Sequence, residues 1–197
     1  MKIAVFASHG GTDLQAIIDG CHGGQIDARV VVVISNNADS MALQRAKKGN
    51  IHQYYLSAKS LGSEEILATK IIEVLEEHSV DMIFLAGYMR LLHVSILARY
   101  HNRIFNIHPA LLPKYGGKGM YGMNVHNAVI QANEKETGVT IHRVNAAYDS
   151  GEIVAQTTLP VLLNDTPEAL AERVLIREHT FLIEVIADIV DGKIRLG

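Results

Sequence analysis

Ile3-Ala4-Val5-Phe6-Ala7-Ser8-His9-Gly10-Gly11-Thr12-Asp13-Leu14-Gln15-Ala16-Ile17-Ile18 carries the fold. Its first part, Ile3 to Ala7, is an unbroken apolar run with the composition of a strand buried on both faces. The run ends in the glycine pair Gly10-Gly11, and from Thr12 to about Cys21 the apolar residues Leu14, Ile17 and Ile18 fall on one side of a helix. Thr12 followed by Gln15 has the spacing of a capping box, which places the helix start at Thr12. Strand, glycine turn and helix form one unit of an α/β protein.

The unit repeats outward along the chain. Val30 to Ile34 is a second β-branched strand, and Ala42 to Lys48 reads as a helix stopped by Gly49. Ile51 to Leu56 is a third strand. Glu64 to Glu77 has helical spacing through Ile66, Leu67, Ile71, Val74 and Leu75, and Met82 to Leu85 is a buried strand closed by Gly87. Such alternation predicts a Rossmann-like, mostly parallel sheet with helices on both faces. In the second half, Arg103 to Ile107 reads as a strand running into His108-Pro109. Tyr115 to Gly122, rich in glycine, reads as a mobile loop, and Val125 to Glu134 as a helix. Val139 to Val144 and Ile153 to Leu159 are strands expected to pair antiparallel across Asp149-Ser150-Gly151, which puts one antiparallel strand in the C-terminal half. Thr166 as N-cap and Pro167 at the first helical position open a long last helix. No linker or repeat interrupts this, so a single domain over 1–197 is expected.

Composition narrows the function classes. The 197 residues carry 18 Lys+Arg against 21 Asp+Glu, a formal net charge of −3, which argues against a nucleic-acid-binding face. No apolar run exceeds Val30 to Ile34, far short of the roughly 18 residues of a membrane span. Cys21 is the single cysteine, so no intrachain disulfide forms, and the N-terminus lacks the pattern of a signal peptide. A cytoplasmic protein is expected. The ten histidines show no metal-ligand spacing, and no metal is expected.

Two polar clusters fall at strand ends. Asn106-Ile107-His108-Pro109 ends a strand, and period two turns Asn106 and His108 to one side, at the carboxyl end where open α/β sheets bind ligands. Asp149 sits in the turn between the two C-terminal strands. The glycine loop suits a phosphate, because helix N-terminal amides and the helix dipole favour an anion. An ordinary tight turn reads the same residues equally well.

Taken together, Ser8-x-Gly10-Gly11-Thr12-Asp13-Leu14-Gln15, Leu85-Ala86-Gly87-Tyr88-Met89-Arg90-Leu91-Leu92, Asn106-Ile107-His108-Pro109-Ala110-Leu111-Leu112-Pro113, Gly138-Val139-Thr140-Ile141-His142, Asp149-x-Gly151 and Glu178-His179 resemble the folate-dependent formyltransferases. The glycine loop narrows the likeness to the enzymes acting on glycinamide ribonucleotide. The resemblance implies formyl transfer from 10-formyltetrahydrofolate, as co-substrate, to the amine of 5-phosphoribosylglycinamide, in purine biosynthesis. It implies a catalytic set of Asn106, His108 and Asp149, in which the amide and imidazole face a tetrahedral oxyanion and the carboxylate favours protonated His108. It also implies phosphate binding at Gly11, Thr12 and Asp13, and ribose binding within Leu175, Ile176, Arg177 and Glu178. The folate pocket it implies is formed by Met89, Arg90, Leu91 and Leu92 with Asn106 and with Asn145, Ala146, Ala147, Tyr148 and Asp149. The N-terminal half, about 1–100, then holds the phosphate, and about 101–197 holds folate and catalysis.

His142 is expected to be a packed, hydrogen-bonded histidine without a catalytic role. Asp13 stands where many relatives have Asn, so its carboxylate must turn away from a bound phosphate. The partners implied are small molecules, with neither nucleic acid nor membrane, and the chain acts as a monomer or a homodimer. Alternatives are another folate-dependent formyl-transfer or deformylase enzyme, or a non-catalytic nucleotide-binding module. The early first strand and the end at Gly197 predict no room for the extra domains of the deformylase or of the enzyme acting on methionyl-tRNA.

Overall fold

The computed structural model describes residues 1–196. Seven strands, β1 (Lys2–Phe6), β2 (Arg29–Ser35), β3 (His52–Tyr55), β4 (Met82–Leu85), β5 (Ile104–His108), β6 (Glu136–Arg143) and β7 (Ile153–Pro160), form one sheet in the order β3-β2-β1-β4-β5-β6-β7. The pairs β1–β2, β1–β4, β2–β3 and β4–β5 are parallel, whereas β6 pairs antiparallel with both β5 and β7. Among the described strands β6 is therefore the one reversed. The strand order reverses direction at β1, between β2 and β4, which is where open α/β sheets leave a crevice at their carboxyl ends.

Seven helices connect the strands: α1 (Thr12–His22), α2 (Met41–Lys48), α3 (Ala58–Leu61), α4 (Glu64–Glu77), α5 (Val94–Arg99), α6 (Met123–Gln131) and α7 (Pro167–Val190). Alternate strand residues feed two cores, one on each face. Ile3, Val5, Phe84, Phe105 and Ile141 pack with Leu14 and Ile17 of α1, Ala42 of α2, and Leu182 and Ile186 of α7. Ala4, Phe6, Ile34, Ile83 and Ile104 pack with Ile71 and Leu75 of α4 and Ile96 of α5. The limits of β4 and α4 are those expected, and Thr166 caps α7 by accepting from the Ala169 amide at 3.2 Å, with Pro167 following. Ile66 lies off the α4 stripe and is exposed. The helix expected over Val125 to Glu134 is α6, which begins two residues earlier and ends at Gln131, and α3 and α5, not among the expected helices, are too short to show a helical period.

One expectation near the glycine loop is corrected. Thr12 and Gln15 do not make a capping box: Gly11 is the N-cap, in the left-handed region at φ 67° and ψ 37°, and makes no side-chain cap. A Cβ on residue 11 would lie 2.9 Å from the Ala42 Cβ, so packing against α2 as well as torsion demands glycine there. The Gln15 side chain instead donates to Asp19 Oδ1 at 2.9 Å and accepts from Arg45 Nη1 at 3.1 Å. The first turn of α1 thus keeps amides that no side chain of its own caps.

Candidate active site

The loops after β1, β4 and β5 surround one cleft of about 540 Å³ at the carboxyl ends of the strands. Ser8 ties two of them together. Its amide donates to the Gly87 carbonyl at 3.0 Å, its hydroxyl donates to Asn36 Oδ1 at 2.6 Å, and Met89 N donates to its Oγ at 2.8 Å. Thr140, fully buried on β6, holds the loop after β5: its hydroxyl donates to the Ala110 carbonyl at 2.6 Å and accepts from Leu112 N at 3.1 Å. These bonds fix the path that carries His108.

The cleft brings the expected catalytic residues together around Asp149. Its Oδ1 lies 3.4 Å from Asn106 Nδ2 and 3.5 Å from His142 Nε2. Its Oδ2 accepts from Gly117 N at 2.8 Å and faces His108 Nδ1 at 3.7 Å. Asn106 Nδ2 also lies 3.0 Å from His142 Nε2, while His142 Nδ1 lies 2.8 Å from the Arg143 carbonyl. A carbonyl only accepts, so Nδ1 of His142 carries the proton and its Nε2 accepts from Asn106. The Asn106 amide thus donates within the cluster.

His142 is packed and hydrogen-bonded, as expected, yet its partners are the functional candidates themselves. The signal is its pairing directly opposite Asn106 across β5 and β6, a register no local pattern reveals. Sequence reasoning also passed over His126 of α6, which lines the cleft, is buried and has no hydrogen-bond partner at Nδ1. The glycine-rich segment is anchored rather than loose where it begins. His108 Nε2 donates to the Tyr115 carbonyl at 2.7 Å, Gly117 N bonds Asp149, and a Cβ on Gly116 would overlap Leu112.

The electrostatics differ from the expected picture at His108. Burial pushes its pKa below the usual imidazole value, outweighing the opposing pull of Asp149 and of the Tyr115 carbonyl. A carboxylate alone favours the imidazolium, but desolvation wins here. Burial raises the Asp149 carboxyl, yet the neighbouring His142 and His108 rings and the Gly117 amide together bring it below its ordinary value. At neutral pH the Asp149 carboxylate therefore faces an uncharged His108.

The other expected residues divide. Thr12, Asp13, Met89, Arg90, Leu91, Leu92, Asn145, Ala147, Tyr148, Leu175 and Glu178 line the cleft. Gly11, the N-cap of α1, adjoins the lining residue Thr12. Ala146 lines a separate, smaller depression with Arg143 and Glu152. Ile176 is largely exposed, and Arg177 donates to both carboxylate oxygens of Glu184, at 3.0 and 2.9 Å, and to Thr157 Oγ1. Consecutive residues of a helix point about 100° apart, so the run 175–178 sends only Leu175 and Glu178, three apart, to the cleft. Ile176 and Arg177 are therefore withdrawn from the candidate set.

Glu178 is buried, and burial, with the nearby Asp13 charge adding to it, raises its pKa well above the ordinary carboxylate value. A folded pKa above the unfolded one means that folding binds a proton, so stability falls as pH rises from the ordinary range towards the folded pKa. Glu178→Gln therefore gains melting temperature relative to the parent between pH 5 and pH 8. Thermal melts of both proteins at the two pH values check this; a constant difference contradicts it.

A family model described as formyl transferase matches residues 1–186. The chain belongs to the formyl transferase family. Among family relatives, phosphoribosylglycinamide formyltransferase of Haemophilus influenzae is 40% identical, over 99% of this chain and 90% of its own. The chloroplastic phosphoribosylglycinamide formyltransferase of Arabidopsis thaliana is also 40% identical, over 98% of this chain and 67% of its own. The crystal structure of glycinamide ribonucleotide transformylase 1 from Symbiobacterium toebii matches with a TM-score of 0.89 at 38% identity, covering 98% of this chain and 88% of that one. This formyl transferase therefore shares its fold with the bacterial relatives over nearly the whole chain. Among its described residues no helix is long and apolar enough to cross a membrane.

Proposed function

We propose that the protein transfers the formyl group of 10-formyltetrahydrofolate to the amine of 5-phosphoribosylglycinamide, a step of purine biosynthesis. The observation that carries this reading is one continuous cleft lined both by the uncapped start of α1 with Glu178 and by the Asn106–His108–His142–Asp149 cluster. In this reading the amides of Gly11, Thr12 and Asp13 take the phosphate, and Glu178 meets the ribose hydroxyls. Residues 89–92 and 145–149 frame the folate, so both halves of the single domain contribute to each substrate site.

The cleft fits a folate. Its volume lies in the range of small-molecule sites, and Leu85, Met89, Leu92 and Val144 supply apolar wall beside the polar cluster. The unpartnered Nδ1 of His126 on the same wall is a buried polar atom that a ligand or water satisfies. The bound co-substrate supplies the activated formyl group. The protein supplies proton management: neutral His108 takes the proton that the attacking amine gives up, Asp149 stabilises the imidazolium, and His108 returns the proton to the leaving nitrogen. Asn106, whose amide lines the cleft, donates an N–H to the oxygen on which charge develops.

A formyl-transfer assay with both substrates tests this, with folate deformylation in water as control. Formylated phosphoribosylglycinamide should form, and omission of the amine should all but stop consumption of the formyl donor. Equal consumption with and without the amine would instead identify a deformylase.

A further inference from the structure

We propose that His179 is a positioning residue that engages the Asp13 carboxylate, so that the start of α1 accepts an anion despite carrying a carboxylate in its first turn. The inference rests on the reading of that turn as the phosphate site. Asp13 Oδ1 lies 3.4 Å from His179 Nε2, and both atoms are buried without a hydrogen-bond partner. The contact joins two helices packed face to face: further along α1, a Cβ on Gly20 would lie 3.3 Å from Ile183 Cγ1, one turn beyond His179 on α7. Asp13 therefore lies at the α1–α7 contact.

Charge explains why the carboxylate needs a partner there. A carboxylate in the first turn of a helix is stabilised by the dipole, but it competes with an incoming anion for the same amides. Like charges a few ångströms apart in a partly buried site repel strongly. Glu178, the residue before His179 on α7, is a second carboxyl in the same corner, and burial with the nearby Asp13 charge raises its pKa well above the ordinary carboxylate value. The group facing Asp13 Oδ1 is the imidazole of His179. Held against Asp13 at 3.4 Å, the ring nitrogen engages the carboxylate on the α7 side and leaves the amide mouth to the ligand.

The geometry makes a specific genetic prediction, since His179 matters to the extent that residue 13 is ionised. His179→Gln should raise KM for the phosphorylated amine about tenfold, the scale of one contact-pair coupling, with kcat and the KM for the folate little affected. Asp13→Asn should lower KM for the same substrate, and the double variant should return to within about twofold of Asp13→Asn, because the charge to be offset is gone. Stabilisation by inorganic phosphate supplies a readout independent of turnover. The parent's melting temperature should rise with phosphate, the rise should vanish in His179→Gln, and it should reappear in the double variant. A His179→Gln loss of equal size in the parent and in the Asp13→Asn variant would mark a purely structural histidine and overturn the proposal. No response of the parent to phosphate would overturn it as well. A parent that answers to phosphate but forms no formylated product would reject the proposed reaction while leaving the pairing to be decided by the melts.

Discussion

Asp149→Asn is expected to lower kcat/KM by about 10²- to 10⁴-fold while the protein remains folded, the range lost when a positioned proton-transfer system is disabled. The substitution is nearly isosteric and keeps an acceptor for the Gly117 amide, but it removes the charge that faces His108 Nδ1 at 3.7 Å and His142 Nε2 at 3.5 Å. The pH profile carries the more discriminating result. Burial holds the His108 pKa below the usual imidazole value of 6.5, so the acid limb of kcat/KM, which reports the free enzyme, should fall below that pH. Asp149 pulls that pKa upward, so in Asp149→Asn the limb should move lower still. Stability has a pH signature of its own. The folded pKa of Asp149 is depressed, so its contribution is present above the ordinary carboxylate range and is lost as pH falls through the folded value. The parent should therefore lead the variant in melting temperature at pH 7, and the lead should shrink in acid. An acid limb at or above 6.5, or a variant within about tenfold of the parent, would remove His108 from the proton-transfer role.

Gly151→Ala is expected to cost about 3 kcal/mol or more, a melting-temperature loss of roughly 6–12 °C for a chain of this size. A Cβ at residue 151 would overlap the Arg143 carbonyl oxygen, and main chain at the end of β6 has no soft side-chain terminus with which to yield. That carbonyl is also the acceptor that anchors His142 Nδ1 at 2.8 Å, so the same displacement frees the imidazole that Asn106 donates to. Stability and turnover should therefore fall together, unlike the loss in Asp149→Asn, which falls mainly on turnover. Thermal melts and kcat/KM on one preparation decide the matter. An alanine variant that melts within about 2 °C of the parent would mean that the turn has room the packing does not indicate.

Much of the architecture was legible because it is written in short-range patterns. The apolar run 82–85, the helical period over 64–77 and the Thr166-Pro167 start report backbone torsions and one-sided burial within a few residues of themselves. Asn106 and His108 share a side because a strand alternates, and the turn holding Asp149 announces itself by composition. The corrections arise where a second element intervenes. Gly11 displaced Thr12 as the cap because Ala42, thirty-one residues away on α2, fills the space a side chain would take. Arg177 turned from the cleft to Glu184 because a helix shares its residues among faces.

Sequence by itself determined the alternation of strands and helices, the presence of one reversed strand in the C-terminal half, and the chemical groups that meet at the carboxyl end of β5. Tertiary structure alone decided that His142 stands opposite Asn106, that His179 reaches Asp13, and that His108 rests uncharged. Periodicity and turn chemistry act between near neighbours, whereas register and desolvation depend on atoms that only folding brings together.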